Sequence, residues 1–297
     1  MKLTAIIPTH NRIQFLSRLI EQLEIQKSNL PKNISFNIVI VADGCIDGTE
    51  AILNEKFSLL YIVRGNGNWW YTKSMNEGFK YAIKNLQPDF VLTLNDDLEF
   101  DRNYLKEITN SIDVLGNSCI IGSLSLTKEL PTRVTSSGVY RINRCIGKLF
   151  HYYKFLQPIK VEELTGIHKS LVLPGRGMLI PKQLLLKLNF FDEKFPQYHS
   201  DIDFCLRAIK NGYSVYVNWD AKLFSYYLKT SNSSSYKKKT LLEFLKSFVD
   251  PYSRNHIKQN LVFFWRHQNK ICVPLFIMIF FITRIRSFLI HYFKYAA

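Results

Sequence analysis

The sequence has few cysteines, few acids in its last quarter, and no uninterrupted apolar run of membrane-spanning length. Each shortage removes a class of protein. Five cysteines (Cys45, Cys119, Cys145, Cys205 and Cys272) are scattered, and none forms a C-x-x-C pair. That spacing argues against a zinc site. The odd count, and an N-terminus ("MKLTAIIPTHNR") too short in apolar residues for a secretory signal, lead us to expect a reducing, cytosolic setting. The longest apolar run, "ICVPLFIMIFFIT" (271–283), has thirteen residues. About 20 are needed to cross a bilayer. Extending the run would carry Arg284 and Arg286 into the middle, which is costly. We expect an interfacial amphipathic segment; a short spanning segment and an ordinary packed helix are the other readings.

Acids are scarce where bases abound. The chain carries 39 Lys and Arg against 24 Asp and Glu, a net charge of +15. From Lys229 onward there are twelve Lys and Arg but only two acids, Glu243 and Asp250. A basic tail interleaved with aromatics calls for an anionic partner, here an anionic membrane surface. No RNA-binding or helix-turn-helix motif accompanies the charge, so nucleic acid is not the expected partner. A Gly-rich basic loop after the first strand, the mark of a nucleotidyltransferase, is also missing.

What is present is enough for a large core: 297 residues, 47% hydrophobic and 14% aromatic. Residues 3–8, 36–43, 58–64 and 89–95 read as strands. Residues 12–26, 71–85 and the stretch "RNYLKEITNSI" carry helical spacing. Strands alternating with helices predict an α/β protein with a mostly parallel sheet flanked by helices. Beyond residue 120 we expect a strand at "CIIGSLSL", irregular short β pieces over 127–170, strands at 170–181 and 214–219, and a helix at "DIDFCLRAIKNGY". "TSNSSSYKKK" (230–239) reads as a linker to a helical extension.

The stretch "FVLTLNDDLEF" (90–100) puts Asp96 and Asp97 at the end of a buried strand. In an open α/β sheet, ligands bind at such carboxyl ends, where Asp43 and Arg64 also fall. Adjacent carboxylates repel unless a cation is near, and hard oxygen donors suit Mn²⁺ or Mg²⁺ held together with a substrate phosphate. Asn-Asp-Asp is also ordinary turn chemistry, so the motif alone leaves both readings open.

Six segments, in order, resemble the family 2 inverting glycosyltransferases of GT-A fold, with a rhamnosyltransferase-like subgroup nearest in pattern. They are "AIIPTHNR", "VIVADGCIDGT", "GNGNWWYTKSMNEG", "LTLNDD", "LPGRGMLIP" and "FDEKFPQYHSDIDFCLRAIKNGY", spread over about 220 residues. The resemblance implies a GT-A domain over 1–228, with a nucleotide-sugar half (about 1–125) and an acceptor half (about 126–228). A basic, membrane-associating helical extension would occupy 229–297. It implies a nucleoside-diphosphate sugar donor and a lipid-linked or glycan acceptor, on the inner face of the cell membrane. Pro8, Thr9, Arg12, Asp43, Asn68, Trp69 and Asp96 would lie about the donor, with Asp43 accepting from the base. Asp97 would be the metal ligand and Asp201 the catalytic base, with Asp203 as the other acid of that helix start.

Some details depart from the family pattern or rest on the residues alone. Ser200 stands where the family has Glu. At a helix N-terminus the dipole should keep Asp201 ionised. Gly175 and Gly177 would let backbone approach the sugar or acceptor, with Arg176 as a phosphate ligand or a surface pair. Trp69 and Trp70, read as strand neighbours, would stack on a ring or pack inside. Ser225 in "AKLFS" stands where many relatives have a metal- or diphosphate-binding His. For His199 two readings stay open, compensation for that His and simple packing. An inactive relative and a basic nucleic-acid binder are the alternatives kept.

Overall fold

The computed structural model describes residues 1–57, 59–226 and 240–294. Its strands are β1 (Lys2–Thr9), β2 (Ser35–Asp43), β3 (Leu60–Gly65), β4 (Phe90–Thr93), β5 (Leu98–Phe100), β6 (Cys119–Thr127), β7 (Val134–Ser136), β8 (Val139–Asn143), β9 (Lys148–His151), β10 (Ile167–Ser170), β11 (Met178–Pro181) and β12 (Ser214–Ser225). Its helices are α1 (Ile13–Lys27), α2 (Thr49–Lys56), α3 (Trp70–Asn85), α4 (Tyr104–Leu115), α5 (Lys182–Lys187), α6 (Ser200–Lys210), α7 (Leu241–Lys246), α8 (Ile257–His267) and α9 (Val273–Lys294). The main sheet runs in the order β10-β12-β6-β11-β4-β1-β2-β3, with β5 and β7 beside β12 and β6. β1 through β4 pair in parallel, as do β6 and β12; β11 lies antiparallel between β6 and β4.

The pattern follows from burial. β1 lies at the centre of the sheet and is covered on both faces, so it reads as an almost unbroken apolar run. Alternate residues face opposite layers. Ala5 and Ile7 join the cluster built on Leu16, Leu19, Ile20 and Leu23 of α1 and Leu105 and Ile108 of α4. Ile6 joins the cluster built on Met75, Phe79 and Ala82 of α3. Gly78 lets α3 lie flat on the sheet, because a Cβ there would collide with Ile6.

Two expectations about strands are corrected. Residues 170–181 do not form one strand. β10 is at one edge of the sheet and β11 near its centre, and residues 171–177 cross between them. Gly177 takes φ +72, which suits glycine and ends the extended run. Trp69 and Trp70 are not strand neighbours either: they sit at the start of α3.

The apolar run at 271–283 lies within a longer helix. α9 continues through Arg284 and Arg286 to Lys294, and 270–290 is long and apolar enough to cross a membrane by length and composition. Its inward stripe is Phe276, Phe280, Arg284 and Phe288, one residue every four. Phe276 stacks on Phe264, Phe288 stacks on Phe244, and the Arg284 guanidinium lies 5.1 Å from the centre of the Phe280 ring. Leu275, Met278, Ile282, Ile285 and Leu289 form an exposed aliphatic stripe. The expected linker at 230–239, and with it the boundary near residue 228, lies outside the described residues.

An ion cluster binds this C-terminal layer to the sheet domain. Asp203 of α6 is fully buried. It accepts from Arg207 Nε, from Arg266 and from His267 Nε2, all at 2.7 Å. Arg266 also pairs with Asp192 at 2.8 Å. Burial alone would raise the Asp203 pKa; the His267 hydrogen bond and the Arg207 and Arg266 charges outweigh it and hold it at about 2. A depressed carboxylate stabilises the fold at neutral pH, here by about 2 kcal/mol. That contribution is complete above about pH 4, the ordinary aspartate range, and is lost as pH falls from there through about 2. We predict that Asp203→Asn costs about 3–5 kcal/mol, because three donors are left around an uncharged group. Urea unfolding across acid pH checks this, and an unchanged midpoint in the variant would contradict it.

Candidate active site

The carboxyl ends of β1, β2 and β4 converge, and each contributes side chains. Asp96 and Asp97 follow β4 and are both buried. Thr9, at the end of β1, donates its hydroxyl to Asp96 at 2.8 Å. Arg12, just before α1, places one guanidinium nitrogen 3.3 Å from Asp96 and 3.3 Å from Asp97. The cation that two adjacent carboxylates require is, in this structure, Arg12. Burial works against the Arg12 charge, but the two carboxylates prevail and raise its pKa. Burial lifts Asp96 to about 6, helped by Asp97 and opposed by Arg12. Pro8 lies in β1 one residue before Thr9, opposite Val41 of β2.

Asp43, at the end of β2, organises the loop before α3. Its carboxylate accepts from Gly67 N–H at 2.7 Å, Trp69 N–H at 2.9 Å and Trp70 N–H at 3.2 Å. Gly44 (φ +63) permits the close approach, since a Cβ there would press into Gly67. Asn68 lies within this loop, its N–H bonded to Asn66 Oδ1 at 3.1 Å. Trp69 is half-buried against the core, with Lys73 over its ring. Trp70 is 43% exposed and stacks on Tyr252, ring centres 3.9 Å apart. Arg64 is exposed and pairs with Glu50 at 2.7 Å.

The loop after residue 173 joins the Asp-Asp turn to α6. Gly177 N–H donates to Thr93 O of β4 at 2.7 Å. Gly175 N–H donates to Asp201 at 2.8 Å. Between them Arg176 extends toward Thr135, 3.2 Å away, and feels the charges of Asp97 and Asp201. Its Nε is buried without a hydrogen-bond partner. The two glycines make room for protein: a Cβ on Gly175 would strike the Tyr71 hydroxyl, and one on Gly177 would strike Leu223 and Ser123.

Asp201 accepts from Ile202 N–H and Gly175 N–H, each at 2.8 Å. Burial raises its pKa against those two hydrogen bonds. Burial outweighs those hydrogen bonds, and the group is more basic than an ordinary aspartate. Asp203, two residues on, points away into the ion cluster under α8. His199 packs on Phe263, ring centres 4.9 Å apart. Ser225 ends β12 and bonds to Leu126 O at 3.4 Å.

No group of three His, Cys, Asp or Glu is placed to hold a metal among the described residues. The oxygens present are nevertheless hard donors: the two carboxylates and Asn95 Oδ1, which is buried without a partner. Such a set fits Mg²⁺ or Mn²⁺ where a diphosphate and water complete the shell. Two residues escaped the sequence reading. Tyr71 donates to Gly175 O at 2.9 Å, and only its neighbours' motif pointed to it. Tyr252 lies in a tail read for charge alone.

Comparison with known proteins agrees with this architecture. Residues 4–170 match the family model for Glycosyl transferase family 2. That is more than half of the chain, and the chain belongs to this family. It is 26% identical over 157 residues to a low-salt glycan biosynthesis hexosyltransferase of Haloferax volcanii, covering 52% of this chain and 48% of that protein. The chain thus spans about half the length of that relative. The fold matches GalNAc-T7, crystallised with UDP, GalNAc and Mn²⁺, with a TM-score of 0.61 and 12% identity over 76% of this chain and 44% of that one. It also matches a mannosyltransferase of Pyrobaculum calidifontis in complex with GDP-Man and Mn²⁺, with a TM-score of 0.55 and 14% identity over 88% of this chain and 69% of that one. The fold is of GT-A type, mixed α/β with some antiparallel strands in a largely parallel sheet.

We predict that Asp43→Ala loosens the 66–70 loop and costs about 1–3 kcal/mol, since three N–H groups lose their acceptor. Asp43→Asn, which keeps one acceptor oxygen, should recover part of the loss. Thermal unfolding followed by tryptophan fluorescence reads both. An Asp43→Ala variant that melts with the wild type would contradict the assignment.

Proposed function

We propose that this chain is an inverting glycosyltransferase of cell-surface glycan biosynthesis. It moves a sugar from a nucleoside-diphosphate donor to a hydroxyl of a lipid-linked or polysaccharide acceptor. One observation carries the reading: the 174–177 loop is hydrogen-bonded at one end to β4 beside Asp96 and Asp97, and at the other to Asp201. A diphosphate-binding turn and a basic carboxylate are thereby held as one rigid unit.

In this reading the donor lies across the ends of β1, β2 and β4, over Pro8, Thr9, Arg12, Asp43, Asn68 and Trp69. Arg12 and Arg176 face its diphosphate. Asp97, with Asp96 beside it, would hold Mn²⁺ or Mg²⁺, which neutralises charge on the departing nucleoside diphosphate. Asp201 takes the proton from the acceptor hydroxyl. The freed oxygen bonds to the anomeric carbon from the face opposite the leaving group. The carbon–oxygen bond to the phosphate breaks, and the electron pair leaves with the nucleoside diphosphate. A single displacement inverts the anomeric centre and needs one base. A pKa raised by burial gives Asp201 the basicity that role asks for. The subgroup resemblance suggests rhamnose on deoxythymidine diphosphate as donor. The exposed aliphatic stripe of α9 and the basic tail support peripheral attachment to anionic lipid at the cytoplasmic face.

We predict that Asp201→Asn lowers turnover by about 10²–10⁴-fold with donor binding intact. Asp97→Ala should remove the stimulation of turnover by divalent metal. Steady-state kinetics with and without Mn²⁺, and the anomeric configuration of the product by NMR, are the checks. Near wild-type turnover in Asp201→Asn, or retention of configuration, would refute the mechanism.

A further inference from the structure

The first turn of α3 stands between the 66–70 loop and the segments around Asp201, and its hydrogen bonds go to both. The leading N–H groups of a helix have no partner within it. Here the Trp70 N–H goes to Asp43 at 3.2 Å, the Tyr71 N–H to Gln197 Oε1 at 3.3 Å and the Thr72 N–H to Pro196 O at 3.0 Å. The buried Thr72 hydroxyl donates to Phe195 O. Residues 195–197 lead into α6, of which Asp201 is the second residue. Trp70 takes φ 56 at this junction, a conformation that bulky side chains rarely adopt. Such a conformation persists where its surroundings fix it. The Asp43 bond does so on one side and the Tyr252 ring, stacked on Trp70, on the other.

Tyr71 reaches Asp201 by a second route. Its hydroxyl donates to Gly175 O at 2.9 Å, and the Gly175 N–H donates to Asp201 Oδ2 at 2.8 Å. Gly175 is therefore held through its carbonyl by α3 and holds the carboxylate through its N–H. Asp201 Oδ1 accepts from Ile202 N–H of its own helix. Among the described residues, the Gly175 bond is thus the one that ties this carboxylate to another element. A base acts only if it is aimed at the proton it takes, and a small misplacement is costly in rate. The mechanism proposed above gives the Tyr71 hydroxyl no part.

We propose that Tyr71 is a positioning residue for the transfer. Through Gly175 it aims the Asp201 carboxylate, and through the first turn of α3 it ties that aim to the loop organised by Asp43. This rests on Asp201 as the base, and it makes the aim of the base depend on a formed donor loop. The groups that act on Asp201 by charge are Arg176 of the same loop, Tyr71 of α3 and Cys205 of α6. The hydrogen bonds and the Arg176 charge favour the ionised carboxylate; burial opposes them. Burial, then the Asp201 charge, holds the Tyr71 phenol well above its ordinary pKa, so it remains a hydrogen-bond donor at neutral pH.

The test is a pH titration of the Asp201 carboxyl carbon by NMR, in the full chain labelled with ¹³C in its aspartates. Loss of one resonance in Asp201→Asn assigns it. Tyr71→Phe keeps the ring beside Phe191 and removes only the hydroxyl. The ionised carboxylate then loses the firm hold of a donor, so its midpoint should rise by about half a pH unit. Turnover is read as release of nucleoside diphosphate from deoxythymidine-diphosphate rhamnose with Mn²⁺, water serving as acceptor. Tyr71→Phe should lower kcat about tenfold with donor KM unchanged, and the acid limb of its pH profile should rise with the NMR midpoint. A midpoint that stays at the wild-type value would overturn the proposal, whether kcat falls or not. So would a raised donor KM with kcat unchanged. No release by the wild type would strike the donor reading and leave the carboxyl titration to decide the positioning. Release by Asp201→Asn at the wild-type rate would strike the base, and the positioning role with it.

Discussion

Two buried carboxylates at the end of one short strand set the terms for the rest of the molecule. Asp96 and Asp97 are held side by side where water cannot screen them, so their charge has to be met by protein or ligand. Arg12 meets part of it directly, and Thr9 fixes the orientation of Asp96. Arg176 adds a second guanidinium without closing an ion pair. A site so arranged is short of anionic oxygen on its Arg side and short of cation on its Asp side. In the function proposed, a metal-bound diphosphate would supply both.

The same economy governs how the candidate site is joined to its surroundings. The Asp-Asp turn, the 174–177 loop and Asp201 are linked by two hydrogen bonds, Gly177 N–H to Thr93 O and Gly175 N–H to the Asp201 carboxylate, so a shift in one moves the others. α6, which carries Asp201 in its first turn, is clamped from behind by Asp203 through Arg207, Arg266 and His267. The clamp belongs to the C-terminal helices. These helices thus stiffen the start of α6 while presenting an aliphatic stripe outward and an arginine inward.

Much of this was legible from sequence, for identifiable reasons. β1, β2 and β4 are covered on both faces, and continuous apolar runs ending in Asp or Thr marked them and their chemistry together. The rest depends on partners remote in the chain. Asp203 looked like a second acid at a helix start, because Arg266 and His267 come more than sixty residues later. Gly175 and Gly177 looked like openings for a ligand, yet Tyr71, Ser123 and Leu223 fill the space. The run 170–181 looked like one strand, because composition cannot show that its two ends belong to different places in a sheet. Arg284 follows the apolar run in sequence, and the fold turns it inward onto Phe280.

The central claim is that the ends of β1, β2 and β4 bind a nucleoside diphosphate together with a divalent cation. The most direct measurement is a thermal-shift panel of nucleoside diphosphates and nucleotide sugars, each with and without Mn²⁺. A ligand that binds only the native state raises its melting temperature by mass action. The account predicts that one nucleotide stabilises the protein strongly, and only when the metal is present. A protein that melts at the same temperature with every nucleotide, metal or not, would contradict it.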